Sequence, residues 1–356
     1  MEKFGLVILL ICAVGIAILG CSGKTENDDG YVYVTKYLKP DTEEDLSDKI
    51  QEIIDKNPNR TIFFPDGTYK VSKPICTPAD PSKAVSLKLS SFAIIKASDE
   101  WDADEAVVRM GGKDPYNEIR FVGSNYSFEG GYIDGNGKAN GISIDSGRET
   151  VIRDTSIKNA KIGLHIKHGA NNGSSDADVY GVNIIGTGRT DSVGVLLEGF
   201  DNTLTNMRIG NVFIGVEAKS GGNSFKNIHA LYMSDCTDYN NSCGFYDKAG
   251  SNWYDFCYSD QFGIGFRLSE STTGTFTNCY CFWYSKSEKE HIAVKSDGLF
   301  NSNFTNFKVD FNFKNESGVL RNIVLSAEKD GGAGFFSNLS VNDGMTRDRT
   351  YKKYVK

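Results

Sequence analysis

Residues 194–218 read GVLLEGFDNTLTNMRIGNVFIGVEA, and two features of this stretch recur along the chain. A glycine followed by apolar-x-apolar stands at each end, as Gly194-Val195-Leu196-Leu197 and Gly215-Val216-Glu217-Ala218. The same pattern occurs at Gly141-Ile142-Ser143-Ile144, Gly163-Leu164-His165-Ile166 and Gly265-Phe266-Arg267-Leu268, with weaker copies from Gly244, His291 and Gly318. The spacing averages about 25 residues, a period that marks a repeat architecture. Between copies lies an apolar residue, any residue, then Asn, Asp or Gly, usually followed by an apolar one: LTNM from Leu204, FKNI from Phe225, WYDF from Trp253, FTNC from Phe276 and FTNF from Phe304. Each repeat thus holds at least two short period-2 strands joined by polar turns, with no room for a helix. Such strands cannot bury their apolar sides alone. Successive repeats must stack, and the simplest stack is a parallel β-solenoid with coils about 4.8 Å apart. Asn206, Asn227, Asn278 and Asn306 are then expected to form an amide ladder at one turn.

Working outward, the composition agrees with a folded all-β chain. Of 356 residues, 39% are hydrophobic, 38 are Gly and only 7 are Pro, enough apolar surface for a large core and enough glycine for many tight turns. Lys plus Arg number 39 against 46 Asp plus Glu, a net charge of -7 with no dense basic block, which argues against nucleic acid as a partner.

The N-terminus is read as an address. Lys3 precedes the apolar run FGLVILLICAVGIAILG, which ends at Cys21 and has signal-peptide length rather than that of a comfortable membrane span. Ile18-Leu19-Gly20-Cys21 resembles the lipobox of bacterial lipoproteins, which implies lipidation of Cys21 and a protein anchored by lipid to the outer membrane, surface-exposed or periplasmic. The expected organisation is a signal peptide over 1–20, the lipidated cysteine and a flexible tether over 21–35, the solenoid over 36–343 and a tail over 344–356.

In an oxidising compartment CTDYNNSC suggests a loop clipped by a Cys236–Cys243 disulfide, whereas Cys279 and Cys281 share one strand face and read as small buried hydrophobes. No zinc-like spacing occurs, so no metal site is assigned. No pattern requires a cofactor. Calcium at Asp176 and Asp178 is the one candidate.

A solenoid needs its first coil covered. Residues 41–56 supply an amphipathic helix with Leu46, Ile50, Ile53 and Ile54 on one face and Thr42 and Asp45 at capping-box spacing. After it, RTIFFPDGTYKVSKPI reads as strand, tight turn and strand. This helix with TIFFPDGTYKVSKPI resembles the N-terminal cap of pectate-lyase-like right-handed β-helix proteins, and GGYIDGNGKANGISI at 130–144 resembles a coil of polygalacturonase relatives. The resemblance spans roughly residues 36–343 and implies a single-stranded right-handed parallel β-helix acting on polysaccharide. The motifs that carry catalysis in polygalacturonases are absent, so no catalytic residue is transferred, and the fold does not fix a reaction.

Alternation ranks the candidates instead. The x of G-apolar-x-apolar points outward, giving a row Ser143, His165, Leu196, Glu217, Tyr246 and Arg267. In the preceding strand Ser156, Asn183, Arg208, His229, Cys257, Tyr280 and Lys308 form a second row. His165 or His229 as base with Arg208 or Arg267 as cation would suit a lyase. Glu217, with Glu198 or Asp134, would suit a hydrolase. Tyr246 and Tyr280 would bind sugar rings, and Asp134 would assist. Glu198, flanked by Lys167 and Lys219, reads as a cross-coil charge ladder. The loops 169–178 and 233–243 are expected to wall a groove. A non-catalytic glycan-binding or structural β-helix is the alternative to an enzyme.

Overall fold

The glycine that opens each repeat lies against the backbone of the coil beside it. A Cβ on Gly194 would run into Ile209 Cγ2 and would stand 2.5 Å from the Gly215 carbonyl oxygen, and Gly163 and Gly265 meet the next coil's carbonyl in the same way, at 2.7 Å. That close approach aligns the strands Ile162–Ile166, Val193–Leu197, Ile214–Ala218, Cys243–Asp247 and Ile264–Leu268 as neighbours in chain order within a ten-stranded sheet. Every pairing along it is parallel: Val195 sits opposite Leu164 on one side and Val216 on the other.

The chain is described by a computed structural model that covers residues 29–114, 126–168, 174–233, 238–270, 272–284, 289–312, 321–342 and 345–356. The expected signal segment and Cys21, and the weak repeat at Gly318, lie outside the described residues. Val32–Lys356 folds as one unit, a right-handed parallel β-helix in which each coil contributes strands to three faces. The first and second faces are joined in a 21-stranded sheet, and in two coils they form one continuous strand, Thr203–Gly210 and Ser224–Leu231. The third face is the ten-stranded sheet that carries the glycines.

The corner between the first two faces needs a residue with left-handed backbone. Asn206, Asn227, Asn278, Asn306 and Asn338 supply it, with φ between 51° and 56°. Asparagine tolerates that conformation, and its amide bridges coils. Asn227 Nδ2 donates to Asn206 Oδ1 at 2.7 Å, Asn306 to Asn278 at 3.0 Å and Asn338 to Asn306 at 2.9 Å. The expected ladder is present. A second ladder, not expected from the sequence, is fully buried: Asn202 N and Nδ2 donate to Asn223 Oδ1 at 3.0 Å, and Asn223 N donates to Asn252 Oδ1 at 2.9 Å.

Inside the coil, apolar side chains stack on their equivalents one coil away. Phe225, Tyr254, Phe276 and Phe304 form a continuous pile with ring centroids 4.7, 4.5 and 4.3 Å apart. Cys279 and Cys281 are buried in the core as expected. Cys243 is a buried free thiol whose Sγ donates to the Phe245 carbonyl at 3.1 Å, and burial pushes it up to about 12. Its expected partner Cys236 lies outside the described residues.

Both ends are covered. The helix Ser47–Lys56 buries Ile50, Ile53 and Ile54, with Leu46 buried beside them at its N-cap, as the pattern requires. Gln51 satisfies the outer edge of the strand Ile75–Pro78, accepting from Cys76 N at 2.8 Å and donating to Cys76 O at 2.9 Å. The capping box is not formed. The helix starts at Ser47 because the Asp45 carboxylate accepts from Ser47 N and from Ser72 N, both at 3.0 Å, tying the helix start to the first coil. Burial pushes the Asp45 carboxyl up, but the bonds from Ser47 and Ser72 outweigh it and leave it below the ordinary range. At the far end the tail folds back, with Arg347 N donating to Asn322 O at 2.7 Å and Lys356 N to Phe336 O at 2.9 Å.

Candidate functional site

The two outward rows differ in what their neighbours leave available. On the third face, Ser143, His165, Leu196, Glu217, Tyr246 and Arg267 do lie in register, as expected. Long side chains close over them, so that Ser143 is only 1% exposed and Glu217 8%. Arg109 Nε donates to Asp145 at 2.7 Å, and Lys167 pairs with Asp145 at 3.3 Å and Glu105 at 3.0 Å. His165 Nε2 lies 2.9 Å from Glu198, which also takes Lys219 at 3.1 Å. Lys248 pairs with Glu217 and stands 4.5 Å from the Tyr246 ring, whose other neighbour is the Arg267 guanidinium, also at 4.5 Å. Arg267 in turn binds Asp297 at 3.0 Å.

From Arg109 to Arg267 the charges on this face are therefore paired with one another. Burial pulls the His165 imidazole below its ordinary value despite Glu198, and burial pushes the Tyr246 phenol up to about 12 despite Arg267. Glu198 sits in a charge ladder with Lys219, as read from the sequence, while Lys167 turns to Asp145 and Glu105 instead. The geometry separates the expected partners. His165 and Arg267 are four coils apart, about 19 Å at the spacing of parallel strands. Asp134 is on the second face, where it accepts from Asn136 N at 2.9 Å and Asn159 Nδ2 at 3.0 Å, so it cannot pair with Glu217 on the third.

The second face carries an open row. Arg208, His229, Tyr258, Tyr280 and Lys308 follow one another in register, with Asp260, Phe282 and Asp310 in the adjacent outward column. His229 stacks on Tyr258 with centroids 4.3 Å apart, Tyr258 on Tyr280 at 4.8 Å, and Lys308 Nζ lies 4.9 Å from the Tyr280 ring. Each acid serves the coil before it: Asp260 Oδ2 faces His229 Nε2 at 3.4 Å, and Asp310 accepts from Tyr280 Oη at 2.6 Å and pairs with Lys308 at 2.8 Å. Burial raises the Asp310 carboxyl, but Lys308 and Tyr280 outweigh it and hold the group ionised below the ordinary range. Burial, with Asp260 beside it, pushes the Tyr258 phenol well above its ordinary value, and Tyr280 is raised likewise by burial and Asp310.

Arg208 contrasts with five other arginines. Arg109, Arg148, Arg153, Arg189 and Arg267 are each paired with a carboxylate, whereas Arg208 is exposed, makes no ion pair with any described residue, and donates only to the Met207 carbonyl at 3.0 Å. It is the register neighbour of His229.

Of the candidates, then, Arg208, His229 and Tyr280 share one site, while His165, Glu217, Tyr246 and Arg267 belong to the ion-paired third face. Cys257, expected in the outward row, points into the core, and Tyr258 takes its place. The reason is a one-residue slip: Tyr254 rather than Trp253 aligns with Phe225 and Phe276. Tyr258 was missed for that reason, and the alignment of YDFCYSD with FTNCYCF was the signal that would have found it; Asp260 and Asp310 lie two residues beyond Tyr258 and Lys308, in an outward column that the alternation was not extended to. Of the two loops expected to wall a groove, residues 169–173 and 234–237 lie outside the described residues. Asp176, one half of the calcium candidate, receives Arg148 Nη2 at 2.7 Å, and among the described residues no three His, Cys, Asp or Glu side chains converge as a metal site.

The sequence matches no protein-family profile and no curated protein. Among solved structures, an alginate lyase from a Paenibacillus species aligns with 83% of this chain and 97% of its own at 13% identity and TM-score 0.51. The tailspike of Escherichia coli bacteriophage HK620 aligns with 88% of this chain and 66% of its own at 12% identity and TM-score 0.57. The chain is a right-handed parallel β-helix protein. Its resemblance to pectate-lyase-like proteins is a likeness of architecture, and the two structural neighbours establish that architecture alone.

Proposed function

We propose that this protein is a lipid-anchored extracytoplasmic β-helix that binds a uronate-containing polysaccharide along its second face and cleaves it by β-elimination. The observation that carries this reading is the exposed, carboxylate-free Arg208 beside His229 in one register row. A guanidinium without a carboxylate of its own is suited to accept the carboxylate of a uronate ring, and it would stabilise the enolate that forms when the proton alpha to that carboxylate leaves. His229 is the base. The Asp260 carboxylate, 3.4 Å from Nε2 and not hydrogen-bonded to it, lies where it can stabilise the imidazolium that forms. The electron pair of the broken C–H bond forms the new double bond as the glycosidic C–O bond breaks. The departing oxygen needs a proton, and Tyr258, kept in its phenol form by burial and Asp260, is the donor on the same row. The sharing of architecture with an alginate lyase agrees with this assignment.

One observation favours a second reading, glycan binding without cleavage. Tyr258 and Tyr280 are stacked on each other, and Asp310 is tied to Lys308, an arrangement that also serves a rigid binding face. The test incubates the protein lacking residues 1–21 with alginate, polygalacturonate and neutral glucans, following unsaturated-product absorbance and new reducing ends. Unsaturated product, lost by about 100-fold or more in Arg208→Ala and in His229→Ala, is expected. Reducing ends without unsaturation would refute elimination, and retention without any product would establish the binding module.

A further inference from the structure

We infer that Trp253 and Phe256 form a carbohydrate-stacking platform that extends the second-face site round the corner of the coil onto the first face, where it holds a sugar ring of the same polysaccharide away from the bond that breaks. The inference rests on the functional reading above, and it follows from the coil that contributes Tyr258 and Asp260.

Phe256 occupies the corner position that Asn206, Asn227, Asn278, Asn306 and Asn338 fill elsewhere, with φ at +59°. Asparagine and glycine accept that conformation, whereas a bulky aromatic residue in it is a genuine outlier. The ring also interrupts the ladder. Asn278, which would otherwise donate to the residue above it, turns to Asp255 Oδ1 at 2.9 Å. No burial compensates, for Phe256 is 62% exposed. A strained backbone, a broken ladder and an exposed ring give the fold nothing that asparagine would not give it, and strain of this kind gathers at binding sites.

Trp253 is an independent observation on the same coil. It points outward from the first face, 54% exposed, between the register neighbours Ser224 and Thr275, whose short side chains leave the indole standing above the sheet. Tyr258 and Tyr280 have ring faces occupied by one another, but neither Trp253 nor Phe256 stacks on any ring among the described residues. Outward positions therefore run Trp253, Asp255, Phe256, Tyr258 round one coil and end at the proposed reacting centre. The C–H face of a pyranose fits a flat apolar ring, while Asp255, Thr275 and Thr277 surround the platform with acceptors and donors for ring hydroxyls. The patch is small and rimmed by hydroxyl and charged groups, which suits a sugar ring better than a protein surface.

The test compares Phe256→Asn, Phe256→Tyr and Trp253→Ala with the unmutated protein by retardation in gels containing alginate or polygalacturonate, by the KM against kcat split on the polymer cleaved, and by urea unfolding. Phe256→Asn should unfold at higher urea, because it relieves the backbone and completes the ladder, yet raise KM by about five-fold or more with a smaller change in kcat. Phe256→Tyr should bind like the parent. Trp253→Ala lies at an exposed strand position and should weaken retardation without lowering the urea midpoint, so it decides the matter even if Phe256→Asn misfolds. Unaltered binding by Trp253→Ala overturns the platform while leaving Arg208-dependent cleavage standing, and so does a Phe256→Asn protein that is more stable and binds as well as the parent. If the unmutated protein neither binds nor cleaves either polymer, the functional reading and the platform fall together, whatever the variants' stability.

Discussion

Replacing Asn223 by alanine should lower the stability of the β-helix by several kcal/mol, far more than the loss of an exposed corner asparagine. Asn223 is fully buried, and its Oδ1 accepts both Asn202 N and Asn202 Nδ2 at 3.0 Å. Alanine would strand these two donors where no water reaches. Each orphaned buried group costs about 1–3 kcal/mol, which gives roughly 2–6 kcal/mol for the pair. Other partners are less exposed to the change, since the Ser220 carbonyl that accepts from Asn223 Nδ2 also accepts from Asn252 Nδ2 at 3.0 Å. Asn306 makes bonds of the same length in the outer ladder, but they are exposed and water can replace them, so Asn306→Ala should cost only about 1 kcal/mol, mostly for its left-handed backbone. Urea unfolding of both variants, with unchanged slope against denaturant, measures the difference. Equal losses for Asn223→Ala and Asn306→Ala would refute the argument that burial, rather than the amide bond itself, makes the inner ladder matter.

Gly194→Ala should destabilise by about 3 kcal/mol or prevent folding, because the new Cβ meets the Gly215 carbonyl at 2.5 Å and the coils must part; urea unfolding that stays within about 1 kcal/mol of the parent would contradict the close-packed glycine column. His291 is buried, and burial with Lys289 nearby pushes its imidazole down from 6.5 to about 3. Between those two values the unfolded chain binds a proton that the folded chain refuses, so this group makes stability fall as pH drops below 6.5 and contributes no slope above it. His291→Gln should therefore show a smaller loss of urea midpoint between pH ~7 and ~5 than the parent, and an identical loss would show that the ring is protonated in the folded state.

The architecture was legible because two residue types report backbone constraints directly. The glycines of G-apolar-x-apolar mark where the next coil's carbonyl leaves no room for a Cβ, and the asparagines of FTN and FKN mark a left-handed corner. The same signals misled at one coil. WYDF matches the pattern when Trp253 is taken as the inward residue, but the corner residue there is Phe256, which no propensity would place at positive φ. That slip exchanged Cys257 for Tyr258 in the outward row. Alternation also says which way a side chain points and not what covers it. Glu217 does point outward, yet Lys248 folds over it, a fact that depends on a residue 31 positions away. The Asn202–Asn223–Asn252 ladder lies four residues before the corner positions 206, 227 and 256, but the sequence does not say that these amides are buried and face one another.

The single amide of Gln51 on Cys76 and the returning tail at Phe336 occupy strand edges that would otherwise be open to pairing. Each rung of a parallel β-helix offers the next the same hydrogen bonds, so a bare terminal rung is a template, and two bare ends on one molecule would let copies add end to end without any change of shape. Growth of that kind has no natural stopping length. Gln51 fills the edge of the first strand of the ten-stranded sheet and the chain's own tail fills the edge at Phe336, so at these two edges the hydrogen bonds that would template another copy are already taken.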